Sequence, residues 1–208
     1  MVGILCVGEH SPLAMRGGTR LAAEAGISLG IYSLAILTAH RLVRSRRAYM
    51  PGFVLGIICG ALQILHISLE TFGNHFGERA GVTLLFMGIS FVLWCVAAAR
   101  VRLLGGSISD ALSAALLSAI TTMVVAVTFG ISLSIAGYPD PRYVSAWPEF
   151  IQSGWSDVRA FAIANTFEAA ASHFVVGPII GIMVGGLGLL IALILQKTCM
   201  SPSNDKNA

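Results

Sequence analysis

The chain has 208 residues, 56% of them hydrophobic and 11% charged, with a mean hydropathy of +0.82 and a formal net charge of +3. That leaves too little polar surface for a water-soluble domain of this size. The positive charge sits on Arg and Lys at the ends of apolar runs, which argues for a lipid bilayer as the surroundings and against nucleic acid as a partner.

An all-α integral membrane protein follows. In lipid only helices or closed barrels satisfy their own backbone, and the apolar runs here are continuous rather than alternating. Crossing a hydrocarbon core of about 30 Å takes roughly 20 apolar residues. Five such spans are expected near residues 21–39, 53–69, 82–99, 111–136 and 174–196, in a single domain from 21 to 197.

Residues 1–20 read as an N-terminal tail. The apolar start Met1 to Gly8 is too short for a signal-peptide core and has no basic region before it, so no cleaved signal is expected. Met15-Arg16 offers an alternative start. The first span, Ala25 to Ala39, lies between Glu24 and His40-Arg41 and carries Gly26 and Gly30 four apart. Arg41, Arg44, Arg46 and Arg47 fill the connection that follows.

The second span starts after Pro51-Gly52, where proline suits a first helical turn, and carries Gly56 and Gly60. Its chemical feature is a polar stripe. Gln63, His66, Glu70 and Asn74 are spaced by three, four and four, which places them on one helix face. Ionisable groups in such a setting are costly and face a bundle interior, a water-filled cavity or a bound ion.

The third span is apolar up to Arg100 and Arg102. The fourth carries hydroxyls, among them Ser118, Thr121, Thr122, Thr128, Ser132 and Ser134, which can bond their own helix or a neighbour. Residues 137–173 are expected to form an interfacial outer segment. Pro139, Pro141 and Pro148 keep its first part irregular, and Tyr138, Tyr143, Trp147 and Trp155 are interface anchors. From Ser156 as N-cap a helix can run from Asp157 to His173 with Asn165, Glu168 and Ser172 on one face, capping the bundle. The fifth span carries Gly177, Gly181 and Gly185. Small residues four apart let helices approach closely in lipid, within this fold or between copies of the chain. Pro178 frees the carbonyl of Phe174 and kinks the helix just past His173. Residues 198–208 read as a disordered tail.

Orientation follows from the basic residues. With the loop of Arg41 to Arg47, Arg100, Arg102, Lys197 and Lys206 inside, eight of 13 Lys and Arg are cytoplasmic. The N-terminus is then outside and the C-terminus inside, in the plasma (inner) membrane. Eight of the ten acids fall on the outer side in this arrangement.

Cys6, Cys59, Cys95 and Cys199 are isolated and read as small apolar residues, without metal or redox spacing. No soluble-enzyme motif is present. Two segments, from Glu70 to Phe76 and from Glu168 to Phe174, share the pattern Glu-x4-His-Phe. A Glu and a His five apart diverge by about 140° on an ideal helix, so one pair alone cannot chelate an ion.

Together His66, Glu70, His75, Glu168 and His173 form a candidate site at the outer end. Imidazole with carboxylate suits zinc, iron, manganese or copper, and His66 with His173 are candidate axial ligands for haem. The reading is a small polytopic membrane protein with an outer-face His/Glu cluster that binds a transition metal, for metal transport or as a redox subunit. The alternatives are an accessory or scaffold subunit of a larger membrane complex, a haem-binding subunit, and a metalloenzyme with Glu70 or Glu168 as proton carrier.

Overall fold

A computed structural model describes residues 23, 26, 27, 29–34, 37, 46–72, 79–138 and 140–199. Among them the fold is all helix: α1 (Arg46–Phe72), α2 (Arg79–Leu103), α3 (Ile108–Ala136), α4 (Pro141–Val144), α5 (Pro148–Ser153) and α6 (Val158–Cys199). Four of these, α1, α2, α3 and α6, are long and apolar enough to cross a membrane. The protein is therefore a polytopic membrane protein. Of the expected first span, residues 23, 26, 27, 29–34 and 37 are described and helical, and the others lie outside the described residues.

The central helix is α3. Half of its span is buried inside the protein (50%), against 22 to 28% for the other three. Small residues make this position accessible. A Cβ on Gly52, Gly56 or Gly60 of α1 would fall within 2.6 to 2.7 Å of Ala114, Thr121 and Val125 in turn, so α1 runs parallel to α3 with backbones nearly touching. On another side Gly177, Gly181 and Gly185 of α6 meet Met123, Ala119 and Ala115, in descending order, so α6 is antiparallel to α3. Gly188 sits against the carbonyl of Cys95, joining α6 to α2. Such close approach recovers dispersion contacts that lipid offers no hydrophobic force to replace. Gly30, by contrast, has nothing within 4 Å among the described residues.

These directions place Phe72, Arg79, Ala136 and Val158 at one end of the bundle, called upper here. Arg46, Leu103, Ile108 and Cys199 lie at the lower end. At the lower end Gln196 donates to the carbonyl of Arg102 at 3.1 Å. The start of α3 is fixed by a capping box in which Ser107 and Asp110 each satisfy the other's backbone N–H. Its upper end is closed by Gly137 at φ 97°, a left-handed cap that favours glycine.

The last span differs from its expected extent, starting at Val158 rather than at Phe174. Asp157, not Ser156, is the N-cap, its Oδ1 accepting from the N–H groups of Arg159 and Ala160 at 2.8 and 3.0 Å. No helix breaker lies between Val158 and Val176, and Ile163, Phe167, Ala170 and Phe174 form a stripe that packs with Val127 of α3. Residues 158–173 therefore form a wall of the bundle. At 42 residues the helix is about 63 Å long, well beyond one hydrocarbon thickness, with Pro178 inside it. The irregular part of the outer segment folds as α4 and α5. Trp147, Phe150 and Trp155 pack there on Val144, Phe161 and Ala162 at the head of α6.

Candidate functional site

The polar stripe of α1 turns inward and meets α2. His66 is buried at 7% exposure, its ring 5.1 Å from that of Phe86 and stacked on it. Nε2 lies 3.1 Å from Glu70 Oε1 and 3.3 Å from Thr83 Oγ1, while Nδ1 lies 3.4 Å from Gln63 Oε1. Thr83 donates to Glu70 Oε1 at 2.9 Å. Beneath them the Gln63 amide donates to Ser90 Oγ at 2.8 Å, and Ser90 donates in turn to the Phe86 carbonyl at 2.9 Å. Since Ser90 has already used its one donor, Gln63 must present its N–H side to Ser90 and its oxygen to His66. The helical spacing of three and four thus builds one hydrogen-bonded ladder, Ser90, Gln63, His66, Glu70 and Thr83, across two helices.

This ladder forms a wall of a chamber of about 380 Å³ in the upper half of the bundle. From α1 come Gln63, His66, Ile67, Glu70 and Thr71; from α2, Thr83 and Met87. The apolar side of α3 contributes Met123, Ala126, Val127, Gly130 and Leu133, with Ser134 above them. Asn165, Thr166, Ala169, Ala170 and His173 close it from α6, and Tyr138 lies at its top. Ser134 and Thr166 are 2.6 Å apart, and because Thr166 donates to the Ala162 carbonyl, Ser134 is the donor between them. No Lys or Arg lines the chamber, and Glu70 is its one carboxylate among the described residues.

Of the five residues expected to form the site, His66, Glu70 and His173 line this chamber. Glu168 is exposed and does not. The chamber face of α6 runs through Asn165, Ala169 and His173, spaced by four, instead of Asn165, Glu168 and Ser172. His75 and Asn74 lie outside the described residues, so the first copy of the Glu-x4-His-Phe pattern is not compared with the second. Among the described residues no group of three His, Cys, Asp or Glu side chains gathers as for a metal ion. Of the packing glycines, Gly56, Gly60, Gly177, Gly181 and Gly185 sit at helix contacts, whereas a Cβ on Gly30 meets nothing within 4 Å among the described residues. Gly26 is helical and partly buried.

Sequence reasoning passed over Thr83, Met87 and Ser90. The signal available was two hydroxyls seven apart on an apolar helix, with Met87 between them on the same face. Of the α3 hydroxyls, Thr122, Thr128 and Ser132 bond back to the carbonyl four residues before, and Thr122 also accepts from Trp94 at 3.2 Å. No family model matches the chain, and no curated protein or solved structure matches it.

Proposed function

We propose that this protein is a small polytopic carrier or receptor that takes a small molecule into the chamber between its four spans. The observation behind this reading is a cavity of about 380 Å³ reached by all four spans, with a polar ladder on one wall and apolar side chains opposite. Small-molecule sites have that size and that mixture, mostly apolar with a few convergent polar groups. A solvated or ligand-filled chamber is also the setting in which membrane helices retain ionisable groups. In this reading lipid covers the exposed apolar faces, among them Leu84, Leu85, Val92, Val175, Ile179 and Met183. The arginine-rich lower end faces the cytoplasm, the N-terminus lies outside, and the chamber sits towards the outer side of the plasma membrane.

A transition-metal site is the second reading, favoured because His66, Glu70 and His173 share one chamber. Both ring nitrogens of His66 already face Gln63, Glu70 and Thr83, which weakens it as a metal or haem ligand. Native mass spectrometry with elemental analysis of the detergent-purified protein separates the two. The chamber reading expects an organic molecule retained at one per chain and lost in Gly130→Leu, since Gly130 lines the cavity and a Cβ there meets nothing within 4 Å. A stoichiometric metal lost in His66→Ala and in His173→Ala selects the second reading. Finding neither overturns both and leaves the accessory-subunit alternative.

A further inference from the structure

Two chamber groups keep an unused hydrogen-bond acceptor. Thr83 donates to Glu70 Oε1 and His66 Nε2 lies 3.1 Å from the same atom, whereas Oε2 has no partner among the described residues, and the side chain is 36% accessible. His173 lies with Nδ1 2.6 Å from the Ala169 carbonyl. A carbonyl only accepts, so Nδ1 carries the proton and donates, and in this tautomer Nε2 is the acceptor. That atom too has no partner among the described residues. The two acceptors come from α1 and α6, on different walls of the chamber.

The charge of the lining decides what they suit. An anion would enter beside the Glu70 carboxylate with no Lys or Arg among the described lining residues to compensate it, at a high cost away from bulk water. A cation carrying N–H donors would satisfy both free acceptors and lie beside the Glu70 carboxylate. A bare metal ion is a poorer match, because among the described residues no three His, Cys, Asp or Glu side chains gather as for a metal ion. The remaining walls, with Ile67, Met87, Met123 and Leu133, suit an apolar body, and the two thioethers adapt to its shape. At about 380 Å³ the space is near the lower end for ligand sites, which favours a small molecule over a lipid.

We infer that the chamber binds a small apolar amine in its ammonium form, held between Glu70 Oε2 and His173 Nε2. The inference rests on the chamber reading above and names its ligand class.

The test measures binding of phenethylamine, its neutral analogue 2-phenylethanol and the anion 3-phenylpropanoate to the full chain in phosphatidylcholine nanodiscs, with empty nanodiscs subtracted. The amine is expected to bind at one per chain, the alcohol at least about tenfold more weakly and the anion not at all. Glu70→Gln is expected to weaken amine binding by about 10- to 100-fold, the loss of one charged hydrogen bond. Glu70→Asp, which keeps the charge, serves where Glu70→Gln fails to fold, and is expected to retain the preference for amine over alcohol. Equal binding of amine and alcohol, both lost in Gly130→Leu, overturns the amine assignment while the chamber reading stands. Zinc that binds stoichiometrically, displaces the amine and is lost in His173→Ala overturns it in favour of a metal. No binding of any probe to the wild type also overturns it, and the molecule retained on purification then tests the chamber reading separately.

Discussion

The hydroxyl of Tyr32 donates to the backbone carbonyl of Phe174, and the two rings lie 5.0 Å apart. Phe174 stands four residues before Pro178, which has no N–H, so this carbonyl lacks its usual helical donor. A side chain 142 residues away in sequence supplies it. The interaction ties a helical turn of the N-terminal region to the one point in α6 where the backbone is incomplete.

Tyr32→Phe keeps the ring and removes the donor, leaving a buried carbonyl unsatisfied at a cost of about 1–3 kcal/mol. Pro178→Ala restores the helical N–H, so Tyr32→Phe in that background should cost far less. A double-mutant cycle, followed by unfolding in mixed detergent, measures the difference. Equal costs in the two backgrounds would show that the tyrosine acts only through its ring.

Glycine position separates helix contact from lipid exposure. Gly181→Leu would drive a side chain into Ala119, whose Cβ lies 2.6 Å from the added Cβ, while Gly186→Leu meets nothing within 4 Å. Overpacking of this kind costs about 1–3 kcal/mol or more, because neither backbone can retreat without losing its other contacts. Gly181→Leu should therefore sharply lower the yield of monodisperse protein and Gly186→Leu leave it near wild type. A similar loss in both variants would mean that the Gly186 face is also packed.

The sequence carried the helical membrane class because uncharged runs of this length have few other solutions. It also carried the polar face of α1, since Gln63, His66 and Glu70 keep the three-and-four spacing of a helix. What faced that stripe was harder to read. Thr83 and Ser90 are single hydroxyls in apolar surroundings, without enough repetition to mark a face. The freed carbonyl of Phe174 was readable from Pro178, but its donor, Tyr32, is a tertiary partner that no local pattern names. From sequence the head of α6 reads as part of an interfacial segment because of the prolines and the Tyr and Trp anchors that precede it. Its apolar stripe from Ile163 to Phe174 meets α3, and that contact decided the outcome.

The helix directions make a topological prediction. Since α1 and α3 are parallel, the start of α1 and the segment after α3 lie at opposite ends of the bundle. A reporter fused after Arg47 should be active on one side of the membrane and one inserted near Trp147 on the other, with the Arg47 fusion cytoplasmic because of its arginines. Both on one side would contradict the parallel arrangement, and exchanged sides would reverse only the proposed orientation.

The ladder across α1 and α2 makes the last prediction. Thr83→Val removes the hydroxyl that donates to Glu70 at 2.9 Å and stands 3.3 Å from His66, with almost no change in shape. Hydrogen bonds between membrane helices average about 0.6 kcal/mol and reach about 1.7 kcal/mol. A bond to a carboxylate belongs towards the upper part of that range, so Thr83→Val alone should lower stability by about 1 kcal/mol. In a Glu70→Leu background the acceptor is gone, and the same change should cost almost nothing. Glu168→Gln, exposed and off the chamber, provides the control and should leave the Thr83→Val cost unchanged. An undiminished cost of Thr83→Val in the Glu70→Leu background would place the hydroxyl's role elsewhere, and Glu70 would then hold its position through His66 alone.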